Sequence, residues 1–314
     1  MMLYNNINKS EFECKCNASN IDPKVFLKGK KLFVLDMDGT FYLGEQLLPG
    51  ALDFTRKATE CGINFLFFTN NSSKSGEVYR EKLMKMGLPA EKAVVMTSGD
   101  VTIDFIKENY PDSKVLLVGT PPLEESFKKA GIRLFFPEIN YHHYKQNVII
   151  QNISNHDIIH QDRLHEDIPP NLIVVIGFDT TLTYEKISMT CRYIREGAPF
   201  IATHMDLNCP TEDGFIPDCG SMCAMITAST GVKPRHLGKP FPETVLAIER
   251  FTGVSAHEMV FVGDRLYTDI ATGRNNGAGS ILVLTGETTE EDLRVSVIKP
   301  DLVYPSLGNI IHDL

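Results

Sequence analysis

Two carboxylates separated by one residue, Asp36 and Asp38, leave the apolar run Leu32-Phe33-Val34-Leu35 and enter a turn at Gly39. Side chains two apart on an extended segment point the same way, so both acids can address one substrate. Three further segments follow or end apolar runs: Thr69-Asn70-Asn71, Gly238-Lys239-Pro240 and Gly263-Asp264-Arg265-Leu266-Tyr267-Thr268-Asp269. In a parallel sheet such ends share one edge, where ligands gather beyond the carboxyl ends of the strands. Asp36, Asp38 and Asp264 would then face one another beside the Lys239 ammonium and the Thr69 hydroxyl. Like charges gathered this closely are costly without a cation. A donor set of oxygens alone, with no His or Cys, points to Mg²⁺.

These segments need a scaffold, and the sequence predicts one. From Leu32 onward, apolar strands alternate with amphipathic helices, the pattern of buried parallel strands in an α/β fold. Strands are expected at 32–35, 64–69, 94–97, 114–118, 172–176, 259–262 and 280–284, and helices at 50–61, 75–86, 184–196, 221–230 and 242–252. The second α/β stretch, 100–203, interrupts the first and is expected to be an inserted cap. The catalytic core would then comprise 29–99 and 204–314, a discontinuous Rossmann-like parallel sheet. Residues 1–28, polar and without a sustained period, are expected to form an arm. No clear period emerges over 135–170 either.

The composition narrows the function. With 314 residues, 43% hydrophobic and 23% charged, the chain is an ordinary globular one with room for two domains. A formal net charge of -9 opposes binding to a phosphate backbone, so nucleic acid is not an expected partner. No apolar run is long enough to span a bilayer and no signal-like segment opens the chain, so the expectation is a cytoplasmic protein without a membrane partner. Seven scattered cysteines, an odd number in a long chain, do not form a disulfide framework, and reduced thiols are expected.

Taken in order, the four motifs resemble those of haloacid dehalogenase (HAD) superfamily phosphatases, and most closely the NagD-like subfamily with its large inserted α/β cap. Thr69-Asn70-Asn71, Gly238-Lys239-Pro240 and the tract from Phe200 to Pro217 carry the closer likeness. It covers residues 31–314 apart from the stretch near 135–170. The resemblance implies a Mg²⁺-dependent phosphatase of small organic phosphomonoesters of the sugar phosphate, nucleotide, glycerol phosphate or phosphoglycolate type, with 4-nitrophenyl phosphate as an artificial substrate. By the same resemblance Asp36 is the nucleophile that becomes an aspartyl-phosphate. Asp38 is the general acid and then base. Thr69 and Asn70 hold the phosphoryl group, and Lys239 offsets its charge. Asp36, Asp264 and the Asp38 carbonyl bind the metal, with Asp269 behind them orienting its waters or Lys239. Asn71, His204, Asp206 and Asn208 are the remaining candidate substrate contacts. A phosphomutase or phosphotransferase of the same superfamily, or a non-catalytic phosphoester-binding protein, is the alternative. Caps of related proteins often mediate dimers, which makes a homodimer an open expectation.

Other clusters invite chemistry and receive a plainer reading. His142, His143, His156, His160 and His165 lack the i, i+4 spacing of a helical zinc site and read as surface residues. Cys14 and Cys16 have no matching second pair. Cys219 and Cys223 share a helical face and read as core packing. At position 204 the family pattern suggests Asn, and this chain has His.

Overall fold

The computed structural model describes residues 21–137, 168–211 and 214–314. Its main sheet has six strands, all parallel. From edge to edge these are Leu302–Tyr304, Gly279–Val283, Met259–Gly263, Leu32–Leu35, Asn64–Thr69 and Val95–Thr97. Leu32–Leu35 is central, and the chain winds away from it in both directions. Its carboxyl end is therefore a topological switch point, where a crevice opens between diverging connections. Asp36 is the residue that emerges there.

Buried on both sides, the central strand is apolar throughout. Phe33 and Leu35 face a cluster with Phe65, Phe67, Val260, Val262 and Ile281 under the helices Ala51–Glu60 and Gly76–Lys85. Leu32 and Val34 face the other way, into a cluster with Leu66, Phe68, Phe261 and the helices Ser98–Asn109 and Pro242–Thr252. The two-residue alternation of strand side chains thus turns one continuous hydrophobic run into two cores.

A second sheet, also parallel, has the order Arg235–His236, Phe200–Ala202, Leu172–Ile176, Lys114–Val118. Ile173, Val175, Ile201 and Val115 on its near face join the cluster containing Phe68 and Phe105. On its far face Leu172, Val174 and Ile176 pack with Cys191, Ile194, Cys219, Met222 and Ile226. The α/β, Rossmann-like core with an added α/β unit expected from the sequence is the observed architecture.

The handover between sheets falls further along the chain than position 203. The helix Cys219–Thr230 lies against Tyr184–Arg195 on the second sheet, and Arg235–His236 is that sheet's edge strand. The apolar stripe Cys219, Met222, Cys223 and Ile226 finds its buried surface there, so the chain returns to the main sheet only after Leu237. In the other direction, Ser98–Asn109 packs on the main sheet although most of it lies beyond position 99.

At the N-terminal end of the described chain, the short helix Pro23–Leu27 places Leu27 in the first core cluster. Of the expected arm, residues 1–20 with Cys14 and Cys16 lie outside the described residues, as do the five histidines between 142 and 165. Cys61, Cys191, Cys209, Cys219 and Cys223 are free thiols, and Cys219 and Cys223 are core residues as the sequence implied. Among the described residues no helix is long and apolar enough to cross a membrane.

Candidate active site

Beyond Leu35 the strand pairing continues one step, with Asp36 N donating to the Val262 carbonyl at 2.9 Å. The chain then turns around the Met37 carbonyl, which accepts from Thr40 N, Phe41 N and Tyr42 N at 3.3, 2.8 and 3.1 Å. Gly39 sits at φ +84°, a conformation costly for any residue with a Cβ, and a Cβ there would lie 2.6 Å from Asp264 Oδ2. Glycine therefore serves both the turn and the approach of the Asp264 carboxylate from the end of a neighbouring strand. A small hairpin, Tyr42–Leu43 with Gln46–Leu47, follows the turn. Lys82 secures it, its ammonium 2.7 Å from the Gly44 carbonyl and 4.1 Å above the Tyr42 ring. The Gly44 amide in turn donates to Asp38.

Asn70 is the hub of the second motif. Its Oδ1 accepts from Lys239 N at 2.8 Å, and its Nδ2 donates to the Lys239 carbonyl at 3.0 Å and to the Asp206 carboxylate at 3.2 and 3.3 Å. One buried amide thus ties three distant chain segments together. Thr69 Oγ1 accepts from Asn71 N at 3.1 Å, and Asn71 Oδ1 accepts from Ser73 N and Ser73 Oγ at 2.9 and 2.7 Å. These local bonds fix the loop after the strand.

Lys239 reaches into the acidic cluster. Its Nζ donates to Asp36 Oδ1 at 2.7 Å and to Asp269 Oδ1 at 2.5 Å, and all three side chains are at least four-fifths buried. Asp269 lies on the π-helical turn Leu266–Ile270, which also lets its Oδ2 accept from Arg265 N at 3.2 Å. Across the cluster Asp264 Oδ2 accepts from Glu287 N at 2.6 Å. Burial alone would lower the Lys239 pKa, but Asp269 and Asp36 more than reverse that and keep it charged. Burial pushes Asp36 up to about 6, against the pull of Lys239. Burial, reinforced by Asp36 and Asp269, pushes Asp264 up to about 8, and burial also raises Asp38.

These raised carboxylates mark a place short of positive charge. Asp36, Asp264 and Asp269 offer oxygens that all lie within 4.8 Å of one another, a donor set suited to a hard divalent cation. Asp264 is held tightly for this: a Cβ at Gly286 would fall 2.0 Å from its Oδ2, so only glycine fits beside it. The Lys239 ammonium takes one oxygen of Asp269 and one of Asp36.

The cavity at this edge is lined by Asp36, Asp38, Thr69, Asn70, Asn71 and Lys239, together with Asp206 and Asn208. His204 departs from the expected placement. Fully buried, it does not line the cavity; its Nε2 lies 2.8 Å from Asp218 Oδ1 and its Nδ1 lies 2.9 Å from Thr203 Oγ1 and 3.3 Å from Ser98 Oγ. Burial by itself would lower the imidazole pKa, but Cys219, Asp218 and Asp206 lift it to about 9. His204, Asp206 and Asp218 also bring ligand atoms within 4.8 Å of one another, yet the direct bond to Asp218 already satisfies the imidazole. Tyr42, Tyr79, Cys209, Pro210, Asp218 and Arg265 line the cavity without having been singled out from the sequence. Arg265 had a visible cue, its place between Asp264 and Asp269; the others become neighbours only through tertiary structure.

Comparison with known proteins agrees with this geometry. Residues 33–133 match the haloacid dehalogenase-like hydrolase family model, and residues 236–310 match a second, HAD-hydrolase-like one. An acid sugar phosphatase of Staphylococcus aureus is 33% identical over 288 residues, 92% of this chain and 99% of the relative. A 4-nitrophenylphosphatase from Thermotoga maritima is 41% identical with a TM-score of 0.76, covering 91% of this chain and 98% of the other. A glycerol phosphate phosphatase from Mycobacterium tuberculosis, solved in complex with calcium, is 26% identical with a TM-score of 0.73, covering 91% and 76%. The chain belongs to the haloacid dehalogenase-like hydrolases, within their NagD-like phosphatases. It is accordingly a phosphomonoester hydrolase.

Proposed function

We propose that the protein hydrolyses small organic phosphomonoesters with Mg²⁺, through a phosphorylated Asp36. The observation that carries this reading is the convergence of Asp36 and Asp38 at the switch-point strand with Lys239 Nζ 2.7 Å from the Asp36 carboxylate. Asp36 would form a bond to phosphorus as the ester P–O bond breaks, and Asp38 would give its proton to the departing alkoxide. Water would then attack the phosphorus of the acyl phosphate, passing a proton to Asp38 and releasing phosphate with a free Asp36 carboxylate. Thr69, Asn70 and Lys239 would hold the phosphoryl oxygens as charge develops. Asp36, Asp264 and the Asp38 carbonyl would hold the Mg²⁺, which supplies positive charge for the phosphoryl oxygens and the crowded carboxylates.

The unit around the second sheet, with the linker through Asp206 and Asn208, would set substrate choice. Relatives named as sugar phosphate, 4-nitrophenyl phosphate and glycerol phosphate phosphatases support ester substrates of this size. The test is phosphate release from a panel of such esters with Mg²⁺, run beside Asp36→Asn. The expected result is turnover by the wild type and none by the variant; a folded Asp36→Asn protein that retains substantial activity would refute the covalent route.

A further inference from the structure

The charged side chains lining the cavity are not distributed evenly. Its only cations among the described residues are Lys239 and Arg265. Lys239 is committed to Asp36 and Asp269, and Arg265 is paired with Glu287 at 2.8 Å while its amide donates to Asp269. Lys239 is thereby held at the acidic cluster, and Arg265 is engaged by an acid outside the cavity lining. The wall built from the segment after Ala202 and from the antiparallel strand pair Asn208–Thr211 and Gly214–Pro217 presents Asp206, Asn208, Cys209, Pro210 and Asp218, whose charged members are both carboxylates.

Those carboxylates are held in place. Asp206 accepts from Asn70 Nδ2, whose other donation goes to the Lys239 carbonyl, and Asp218 takes the His204 imidazole and the Cys219 amide on the same oxygen, Oδ1. A carboxylate has room for about four hydrogen bonds, so each retains capacity for a donor arriving with the substrate. His204, behind the wall, balances one of the two charges when protonated and leaves the wall negative.

We infer that the Asp206 and Asp218 wall selects phosphomonoesters whose leaving group donates hydrogen bonds, through hydroxyl or ammonium groups, and excludes leaving groups that carry a second anion. This rests on the phosphatase reading above. An alkoxide precursor bearing a carboxylate or second phosphate would meet like charge on a wall whose described residues supply no cation, which is how a site rejects a competitor of similar size. Polyols and amino alcohols would find acceptors instead.

The test uses the full chain with Mg²⁺ and compares kcat/KM for phosphoglycolate, phosphoethanolamine and glycerol 3-phosphate, with 4-nitrophenyl phosphate as the reference ester. The first two are two-carbon esters of opposite charge. Phosphoglycolate should trail both others by about tenfold or more, the scale of one unscreened charge contact near a protein surface. Asp218→Asn keeps an oxygen for His204 and the Cys219 amide, Asp206→Asn keeps one for Asn70, and Asn208→Lys adds a cation on the exposed hairpin strand; each should narrow that gap. A wild type that hydrolyses phosphoglycolate as well as glycerol 3-phosphate would overturn the inference, as would variants that keep the wild-type ratio while turning over the reference ester. Absence of any reference turnover in folded, Mg²⁺-supplied wild type would instead remove the phosphatase reading and the selectivity with it.

Discussion

Lys239 Nζ lies 2.7 Å from Asp36 Oδ1, a buried ion pair joining residues 203 positions apart. In the proposed mechanism this pair would let a carboxylate attack a phosphoryl group that is itself anionic, because a fixed cation offsets the charge both bring together. Lys239→Met should lower kcat by about 100-fold to 1,000-fold, the usual cost of removing a group that stabilises developing negative charge. Asp269→Asn acts at one remove, by loosening the lysine, and should cost about 10-fold to 100-fold. Steady-state kinetics on 4-nitrophenyl phosphate would separate the two; equal losses, or an unimpaired Lys239→Met protein, would contradict the assignment.

Asp38 offers a test of proton transfer. Burial raises its pKa, which suits a group that must hold a proton before giving it up, while the Gly44 amide that fixes it on the turn pulls more weakly the other way. A nitrophenolate departs with little help, whereas an alkoxide needs the proton. Asp38→Asn should therefore depress kcat/KM for glycerol 3-phosphate about 10-fold to 100-fold more than for 4-nitrophenyl phosphate. Equal depression of the two esters would show that Asp38 does not protonate the leaving group.

Removal of the cation should affect activity and stability together. Asp36 and Asp264 have pKa values of about 6 and about 8, above the ordinary carboxylate value, mainly through burial. In the metal-free folded state these groups keep protons that the unfolded chain releases, so their effect is most favourable at low pH and is lost as pH rises through 6 to 8. A divalent cation displaces those protons and should bind more tightly as pH rises. Chelation with EDTA should abolish turnover, with Mg²⁺ restoring it, and Mg²⁺ should raise the melting temperature more at pH 8 than at pH 6. Full activity after exhaustive chelation, or a Mg²⁺ shift larger at pH 6, would be incompatible with this cluster.

How much of this the sequence displayed depended on whether the information was local. Asp36 and Asp38 were legible because an apolar strand delivers them into a glycine turn, and Asp264 because another strand ends beside it. The helix at Cys219–Thr230 was legible too, but its partner was not: an apolar stripe states that a face is buried without saying which sheet buries it. Asp218 looks in sequence like an ordinary N-cap, and it does accept from Cys219 N. Its second role appears only when the fold brings His204 alongside, which is also why His204 was expected at the substrate and is found in the protein interior.

That buried pair has a pH dependence of its own. The His204 pKa stands at about 9, above its ordinary 6.5, because Cys219, Asp218 and Asp206 together outweigh burial. A raised histidine contributes its full stabilisation below the unfolded pKa and loses it as pH rises through the folded one. Wild-type stability from this source should therefore decline between about pH 6.5 and pH 9. His204→Ala, which leaves the Asp218 carboxylate buried without its partner, should cost about 3 kcal/mol at neutral pH and flatten the decline. Urea unfolding of both proteins across that range provides the measurement. An unchanged midpoint in His204→Ala, or an equally steep decline in both proteins, would mean that the imidazole does not carry this charge.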